Sequence, residues 1–405
     1  MNVTAVVVRA SDEAVLVLPS GLPQVDLADK LWFPDVEPTL RALQEQHGIE
    51  AAVLTCLDEE PLTYLMLLTG EAPADAYWVH DRDVSSSDSR AWTKPGWYDE
   101  ALPWIAEHVA ATGPWSQVRS WGLSNVLRIP TAEGDVYFKA LAHSSTIESA
   151  PDALPLLFAH EPHFLYQVSS ERPGAVPAPL AIDEKRAWML LPDLGAPLAE
   201  KTDLGLWIDA LRGHAQLQRN YADQPKRLLE FTCVDRRLAV LDSELDRLLG
   251  PNPATNRLEP QERAQLPDRA KQLRQAINEL AAIGVPETLL HGDLHPRNVA
   301  VRDGRVLAFD WTDAAVGHPF LDLVTFVEEK RSPLSADARV RDAYLSEWED
   351  YASPAELRRA LELATELGAL HQTMTSLHLI DHLSGPGRES MLRGGAWWLR
   401  QLLAV

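Results

Sequence analysis

Three oxygen-bearing side chains at fixed spacing constrain this chain more than any other feature. In the segment Leu289–Leu323, LLHGDLHPRNVAVRDGRVLAFDWTDAAVGHPFLDL, an apolar run precedes His291-Gly292-Asp293, and Asn298 lies five positions after Asp293. Val299–Val301 and Val306–Phe309 are strand-length apolar runs joined by Arg302-Asp303-Gly304-Arg305, so they predict a hairpin whose second strand ends in Asp310. A strand pair with Asp and Asn before it and Asp after it converges three oxygen-bearing side chains on one spot. Magnesium takes hard oxygen ligands and keeps waters and substrate phosphates as its remaining ones. One carboxylate is then free to accept a proton from an attacking hydroxyl. These are the parts of phosphoryl transfer, where catalysis is mainly positioning and charge neutralisation. The plainer readings are that Asp293 and Asn298 form turns, and that Asp310 caps a helix in competition with Thr312 or Asp313.

At 405 residues the chain is too long for one ordinary core and predicts two or three domains. Its 37 Lys plus Arg against 59 Asp plus Glu give a net charge of −22. Such a balance argues against a general nucleic-acid binder and against anionic membrane surfaces. It is compatible with a cationic acceptor. The two cysteines, Cys56 and Cys233, exclude a disulfide framework and a four-cysteine zinc site. No run approaches the roughly 20 apolar residues of a membrane helix, and the expected setting is a reducing cytoplasm.

The pattern predicts four stretches. Residues 1–84 form a small α/β module: a hairpin of Val3–Arg9 and Ala14–Pro19, a helix over Glu37–His47 stopped by Gly48, and a strand pair, Ala51–Leu57 and Leu62–Leu68. Residues 85–116 hold a polar linker, Ser85–Arg90, and a bridging helix over Pro95–Ala111. Residues 117–192 are strand-rich, with Val118–Trp121, Val126–Ile129, Val136–Leu141 and Trp188–Leu191, and an apolar helix over Leu154–Val168 that contains Glu161. Residues 193–405 are helical by period at Leu204–Leu217, Arg263–Leu280, Arg341–Trp348 and Leu357–Leu379. His371, His378 and His382 lie seven and four apart on one predicted helix. Buried or surface histidines suit them better than a zinc site, and a place in an acceptor pocket stays open. Glu328-Glu329 and Glu347–Asp350 read as solvated acidic faces.

His291-Gly292-Asp293-Leu294-His295-Pro296-Arg297-Asn298 resembles the catalytic loop of the aminoglycoside phosphotransferases and the related choline-kinase-like small-molecule kinases. Phe309-Asp310-Trp311 resembles their metal-binding segment, and Gly317–Leu323 the segment that follows; Arg297 stands where Gly is common. The resemblance implies an α+β, two-lobed protein-kinase-like fold with a small β-rich N-lobe and a large helical C-lobe. It implies Asp293 as catalytic base, and Asn298 and Asp310 as ligands of magnesium against the phosphates of ATP or GTP. Lys139 would grip the α- and β-phosphates and Glu161 would pair with it, with Glu171 and Asp152 as rivals for that place. Trp121–Asn125, with Ser124 and Asn125 in place of glycines, would be the phosphate-covering turn. Met189–Asp193, including Leu191 and Asp193, would be the hinge that presents backbone groups to a purine. His291 and His295 read as structural, and Asp322 as a brace for the loop.

The N-terminal hairpin, helix and Arg41–Ile49 resemble a degenerate Nudix domain. Only Glu45 matches that family's helix glutamates; Ala42 and Gln46 stand where others belong, and Phe33 takes the upstream place. A docking module is expected rather than a hydrolase. The chain thus reads as a magnesium-dependent phosphotransferase that moves the γ-phosphoryl of a nucleoside triphosphate to a small-molecule hydroxyl. The alternatives are a nucleotide-binding pseudokinase scaffold, against which the complete Asp293, Asn298 and Asp310 set argues, and a kinase of protein side chains. The short gap between Asp310 and Asp322 leaves little room for the peptide platform that the last would need.

Overall fold

A computed structural model of the chain describes residues 1–80, 88, 90–142, 158–327 and 334–404. These divide into two compact units: Met1–His143 with Leu180–Asp193 and His382–Ser390, and Ser144–Pro179 with Leu194–Asp381 and Met391–Val405.

The first unit holds two sheets. Asn2–Val8 is a run of small and β-branched residues buried on both faces, which suits a central strand. It lies in a six-stranded sheet in the order Ala51–Glu59, Leu62–Leu68, Asn2–Val8, Val15–Val17, Tyr77–Val79, with Gln24–Asp26 also paired to Asn2–Val8. Asn2–Val8 runs parallel to Leu62–Leu68 and antiparallel to its other partners. Helix Glu37–His47 has Pro in its first turn, buries Thr39, Ala42 and Leu43, and stops at Gly48.

The second sheet is antiparallel throughout, in the order Ala181–Asp183, Trp188–Pro192, Gly134–Leu141, Ser124–Thr131, Ser116–Ser120. The bridging helix is shorter than its apolar pattern suggested: a 3₁₀ turn at Pro95–Trp97 leads into Tyr98–His108. Trp97 and Trp104 bring their ring centres to 6.0 and 5.7 Å from Trp188, so part of the tryptophan content is one aromatic core. Gln117 ties the two sheets together. Its amide accepts from Val53 N at 2.7 Å and donates to Val53 O at 3.0 Å, standing in for a strand partner along Ala51–Glu59.

In the second unit, helices Glu161–Glu171, Leu204–Asn220, Leu238–Leu249, Pro260–Ile283, Ala338–Ser346 and Pro354–Ile380 enclose two small sheets. One is Ala196–Pro197, Val299–Arg302, Arg305–Ala308; the other is Val234–Asp235, Ala315–Gly317, Thr288–Leu290. Trp207, Trp311, Trp348, Phe320 and Tyr344 are fully buried there. Helix Pro354–Ile380 starts at a capping box in which Ser353 and Glu356 satisfy each other's backbone N–H groups. Gly385–Leu403 is the last helix.

Some expectations move. Glu161 opens its helix instead of lying inside it, since the helix runs Glu161–Glu171; residues 154–157 lie outside the described residues, as does Asp152. Of the linker expected at 85–90 only residues 88 and 90 are described, and Glu328-Glu329 is not. His382 falls beyond Ile380, where the helix ends, so the three histidines do not share a helix face. The acidic run at 347–350 is an ion-paired surface, with Glu347 3.4 Å from Arg212 and Asp350 2.7 Å from Arg219. Both cysteines are free and buried, and burial pushes the Cys56 thiol up to about 12. Among the described residues no helix is long and apolar enough to cross a membrane.

Candidate active site

The strand Thr288–Leu290 delivers the chain to His291 and Gly292, where the backbone turns. Gly292 has φ +83°, and a Cβ there would sit 2.3 Å from Asp313 O, so only glycine fits. Asp322 braces this turn as expected. Its carboxylate accepts from His291 N at 2.8 Å, Gly292 N at 2.9 Å, His214 Nε2 at 2.8 Å and Gln218 Nε2 at 3.1 Å. Burial alone would raise the Asp322 carboxyl, but its bond to His214 and the His214 and His291 rings hold it below the usual carboxylate range. His291 is fully buried, with Nε2 donating to Phe309 O at 2.9 Å, and burial lowers its basicity. It is structural, as the sequence suggested. His295 lies with Nε2 3.6 Å from Asp293 Oδ2 and accepts from Arg297 N through Nδ1.

Asp293 and Asn298 are locked together, because Asn298 Nδ2 donates to Asp293 O at 3.1 Å while Asn298 O accepts from Phe309 N at 2.8 Å. The predicted hairpin forms. Val299–Arg302 pairs antiparallel with Arg305–Ala308, and Asp303 and Gly304 both take positive φ, 51° and 75°, as a two-residue mirror-image turn requires. Asp310 follows with φ +63°, a left-handed conformation that Asp tolerates better than most residues. Its Oδ1 accepts from Thr312 Oγ1 at 3.3 Å. It is therefore not a helix cap, because the residues after it form a turn and then the strand Ala315–Gly317.

Glu161 is fully buried, and its Oε1 accepts from Trp311 N at 2.8 Å, which fixes the backbone next to Asp310. Its rival Glu171 is engaged by Tyr221 Oη at 3.2 Å and by Arg227. Asp313, 9% exposed, sits against Gly292. Burial first, and then the charges of Asp293 and Asp310, push its carboxyl up to about 8. Asp293 and Asp310, from two segments, thus both lie within electrostatic reach of Asp313.

Among the described residues no group of three His, Cys, Asp or Glu side chains is arranged to hold a metal by itself. Magnesium does not need such a cage, since one or two carboxylates with waters and phosphates suffice. The donor set of Asn298 and Asp310 is all oxygen, and the like-charge pressure felt by Asp313 is what a bound cation relieves. The residues fit the ion.

Lys139, Ser124, Asn125, Leu191 and Asp193 belong to the first unit, whereas Glu161, Asp293, Asn298 and Asp310 belong to the second. Lys139 lies in the strand Gly134–Leu141 opposite Val126 and Met189, with 9% exposure. Ser124 and Asn125 are strand residues opposite Leu141 and Ala140 and not part of the turn, which is confined to Trp121–Leu123. Both are buried: Ser124 Oγ accepts from Trp121 Nε1 at 3.0 Å, and Asn125 Nδ2 reaches Ser120 Oγ at 3.5 Å. Leu191 pairs with Tyr137, and Asp193 N donates to Asp135 O at 3.0 Å. Sequence reasoning passed over His214, Gln218 and Arg236, and took Asp313 only for a cap. Gln218 also meets Leu289 O and Tyr344 Oη, and nothing local to it signals that role.

A family model described as "Phosphotransferase enzyme family" (APH) matches residues 115–363. No curated protein matches the chain in sequence. Among solved structures, a choline/ethanolamine kinase family protein from Mesorhizobium loti is 17% identical, over 76% of this chain and 93% of that one, with a TM-score of 0.50. The apoenzyme of the macrolide 2'-phosphotransferase MphH from Brachybacterium faecium is 19% identical, over 75% and 98%, also at 0.50. APH(2")-IIia, in a complex with GDP and kanamycin, is 14% identical, over 76% and 98%, at 0.53. At such identities these likenesses show the fold, which is kinase-like, with β-sheets toward the N-terminus and a helical C-terminal region. The family match begins at residue 115, so it does not bear on the Nudix-like resemblance of residues 1–84.

Proposed function

The chain belongs to the phosphotransferase enzyme family, and on that premise we propose that it is a small-molecule kinase. It moves the γ-phosphoryl group of ATP or GTP to a hydroxyl of a small molecule, with magnesium. The observation that carries the reading is the geometry of the loop: Asp322 holds His291 N and Gly292 N ahead of Asp293, Asn298 Nδ2 is tied to Asp293 O, and the hairpin that follows ends at Asp310 beside the Trp311 N held by Glu161.

Asp293 accepts the proton of the acceptor hydroxyl as its oxygen attacks the γ-phosphorus. The bond from that phosphorus to the bridging oxygen breaks, and the nucleoside diphosphate leaves with the electron pair. Asp322 keeps Asp293 in place by holding the two preceding N–H groups, and Glu161 does the same for Asp310 through Trp311 N. Magnesium held by Asn298 and Asp310 supplies neutralisation of the phosphoryl charge. Lys139 grips the α- and β-phosphates, and Leu191 and Asp193 offer backbone groups to the purine. For residues 1–84 we retain a docking role: Glu37 is tied in ion pairs to Arg41 and Arg128, and Phe33 and Ala42 are buried, so that helix has little carboxylate left for a metal.

Transfer of label from γ-labelled ATP or GTP to a panel of amino alcohols, sugars and hydroxy acids tests the reading. Asp293→Asn is expected to lower transfer by about 10²- to 10⁴-fold. Undiminished transfer by that variant, or label found only on protein, contradicts it.

A further inference from the structure

Arg236 stands out among the buried charges. It is 1% exposed, and its Nη1 and Nη2 find no hydrogen-bond partner among the described residues. The backbone fixes it there. Arg236 follows the strand Val234–Asp235, its N donates to Val316 O at 2.8 Å, and a Cβ at Gly317 would lie 2.9 Å from its carbonyl oxygen. Two of the nearby acids are engaged elsewhere: Asp235 is bound by Arg237 at 2.6 Å, and Glu244 is paired with Arg247. A guanidinium buried without acceptors is costly, and native proteins keep one only where something pays for it.

Two further groups share the condition. Asp313, whose charge is the strongest attraction Arg236 feels, has a buried Oδ1 with no partner among the described residues, and so has His371 at Nδ1. His371 lies within electrostatic reach of Arg236. The next residue on its helix, Gln372, donates to Gly292 O at 2.6 Å, so this helix is fastened to the catalytic loop. Asp313 packs on Gly292 itself. A polar cluster with unmet donors and acceptors therefore borders the residue preceding Asp293, all within the second unit.

We propose that Arg236, Asp313 and His371 recognise the acceptor, and that the acceptor carries an oxyanion, carboxylate or phosphate ester, besides its hydroxyl. The inference rests on Asp293 being the base of the transfer. The guanidinium fork takes the oxyanion in paired charge-assisted bonds. Asp313 Oδ1 takes an O–H of the same molecule, and His371 Nδ1 a further polar atom. A neutral acceptor without an oxyanion leaves the guanidinium N–H groups without a charged partner in hydrogen-bond reach among the described residues, and a cationic one places like charge beside them. The choice departs from the one the net charge of −22 suggested, because net charge does not tell where charge sits.

The test is binding to the full chain without nucleotide, by thermal shift and calorimetry. The probes are glycerate, glycerol 3-phosphate, inorganic phosphate, glycerol and ethanolamine. Glycerate or glycerol 3-phosphate should bind wild type, glycerol and ethanolamine should not, and Arg236→Met should weaken binding at least tenfold. If that variant does not fold, Arg236→Lys, which keeps the charge and loses the fork, should bind several-fold more weakly. Equal binding by wild type and a folded variant overturns the proposal, since Arg236 would then be a structural counter-charge. So does binding of inorganic phosphate alone, equal binding of glycerol or ethanolamine, or no binding by any probe. A magnesium–nucleotide shift, read separately on the same wild-type protein, reports on the kinase reading, so the two failures remain distinct.

Discussion

At Gly292 a single hydrogen atom in place of a methyl group lets the catalytic loop close on Asp313. Gly292→Ala combines a left-handed backbone with a 2.3 Å approach to a carbonyl oxygen. It should cost about 2 kcal/mol or more in urea unfolding and lower transfer as well; a variant as stable and active as wild type would contradict the loop geometry. Asp322→Ala leaves His291 N, Gly292 N and the His214 ring without their buried acceptor. At about 1–3 kcal/mol for each orphaned group, it should be among the most destabilising single changes, as denaturant midpoints would report. The turn at Asp293, the hairpin after Asn298 and the strand end before Asp310 were legible in the sequence because their spacing is local. His214 was not, since it meets Asp322 across 108 positions. Ser124 and Asn125, expected in the turn, are buried strand residues opposite Leu141 and Ala140, a pairing that their own residue types do not announce.

The helices of the second unit followed their apolar period, and the observed Leu204–Asn220, Pro260–Ile283 and Pro354–Ile380 each extend the predicted span by a few residues at caps that periodicity does not mark. The bond from Trp311 N to Glu161 could not be read from the pattern of its helix, because it spans 150 positions. Two buried histidines carry a prediction at this scale. Burial holds His318 down to about 3, and its Nδ1 accepts from Phe320 N at the start of the turn Pro319–Asp322. Burial and the Arg236 charge likewise hold His371 down to about 3. Below the unfolded value of about 6.5 the unfolded chain binds protons that the folded one refuses, so stability must fall as pH falls from about 6.5 toward 3. Each should remove about 1 kcal/mol between pH 7 and 5.5. Unfolding midpoints measured across that range check it. A flat profile there would mean that the two rings are protonated in the fold.

For the whole molecule, the sequence pattern suggested an N-terminal module set apart from the strands that follow, and the first unit holds both the six-stranded sheet and the second sheet. Gln117 bonds both backbone groups of Val53, Val36 N donates to Val118 O at 3.2 Å, and Arg128 pairs with Glu37 at 2.8 Å. None of these was readable from periodicity, which is blind to a side chain standing in for a strand. Removing residues 1–80 should therefore yield a protein that does not unfold cooperatively; a sharp, wild-type-like melting transition in the shortened protein would contradict the shared unit. The account as a whole rests on a nucleotide–magnesium site that uses Asp310. The most direct test is a thermal-shift titration with ATP and GTP, each with and without magnesium, on wild type and Asp310→Asn. A nucleotide at one hundred times its dissociation constant stabilises by about 2.7 kcal/mol. The account predicts a magnesium-enhanced rise of the midpoint in wild type and no magnesium enhancement in Asp310→Asn. A midpoint that neither nucleotide moves, or a magnesium effect that survives the substitution, would contradict it.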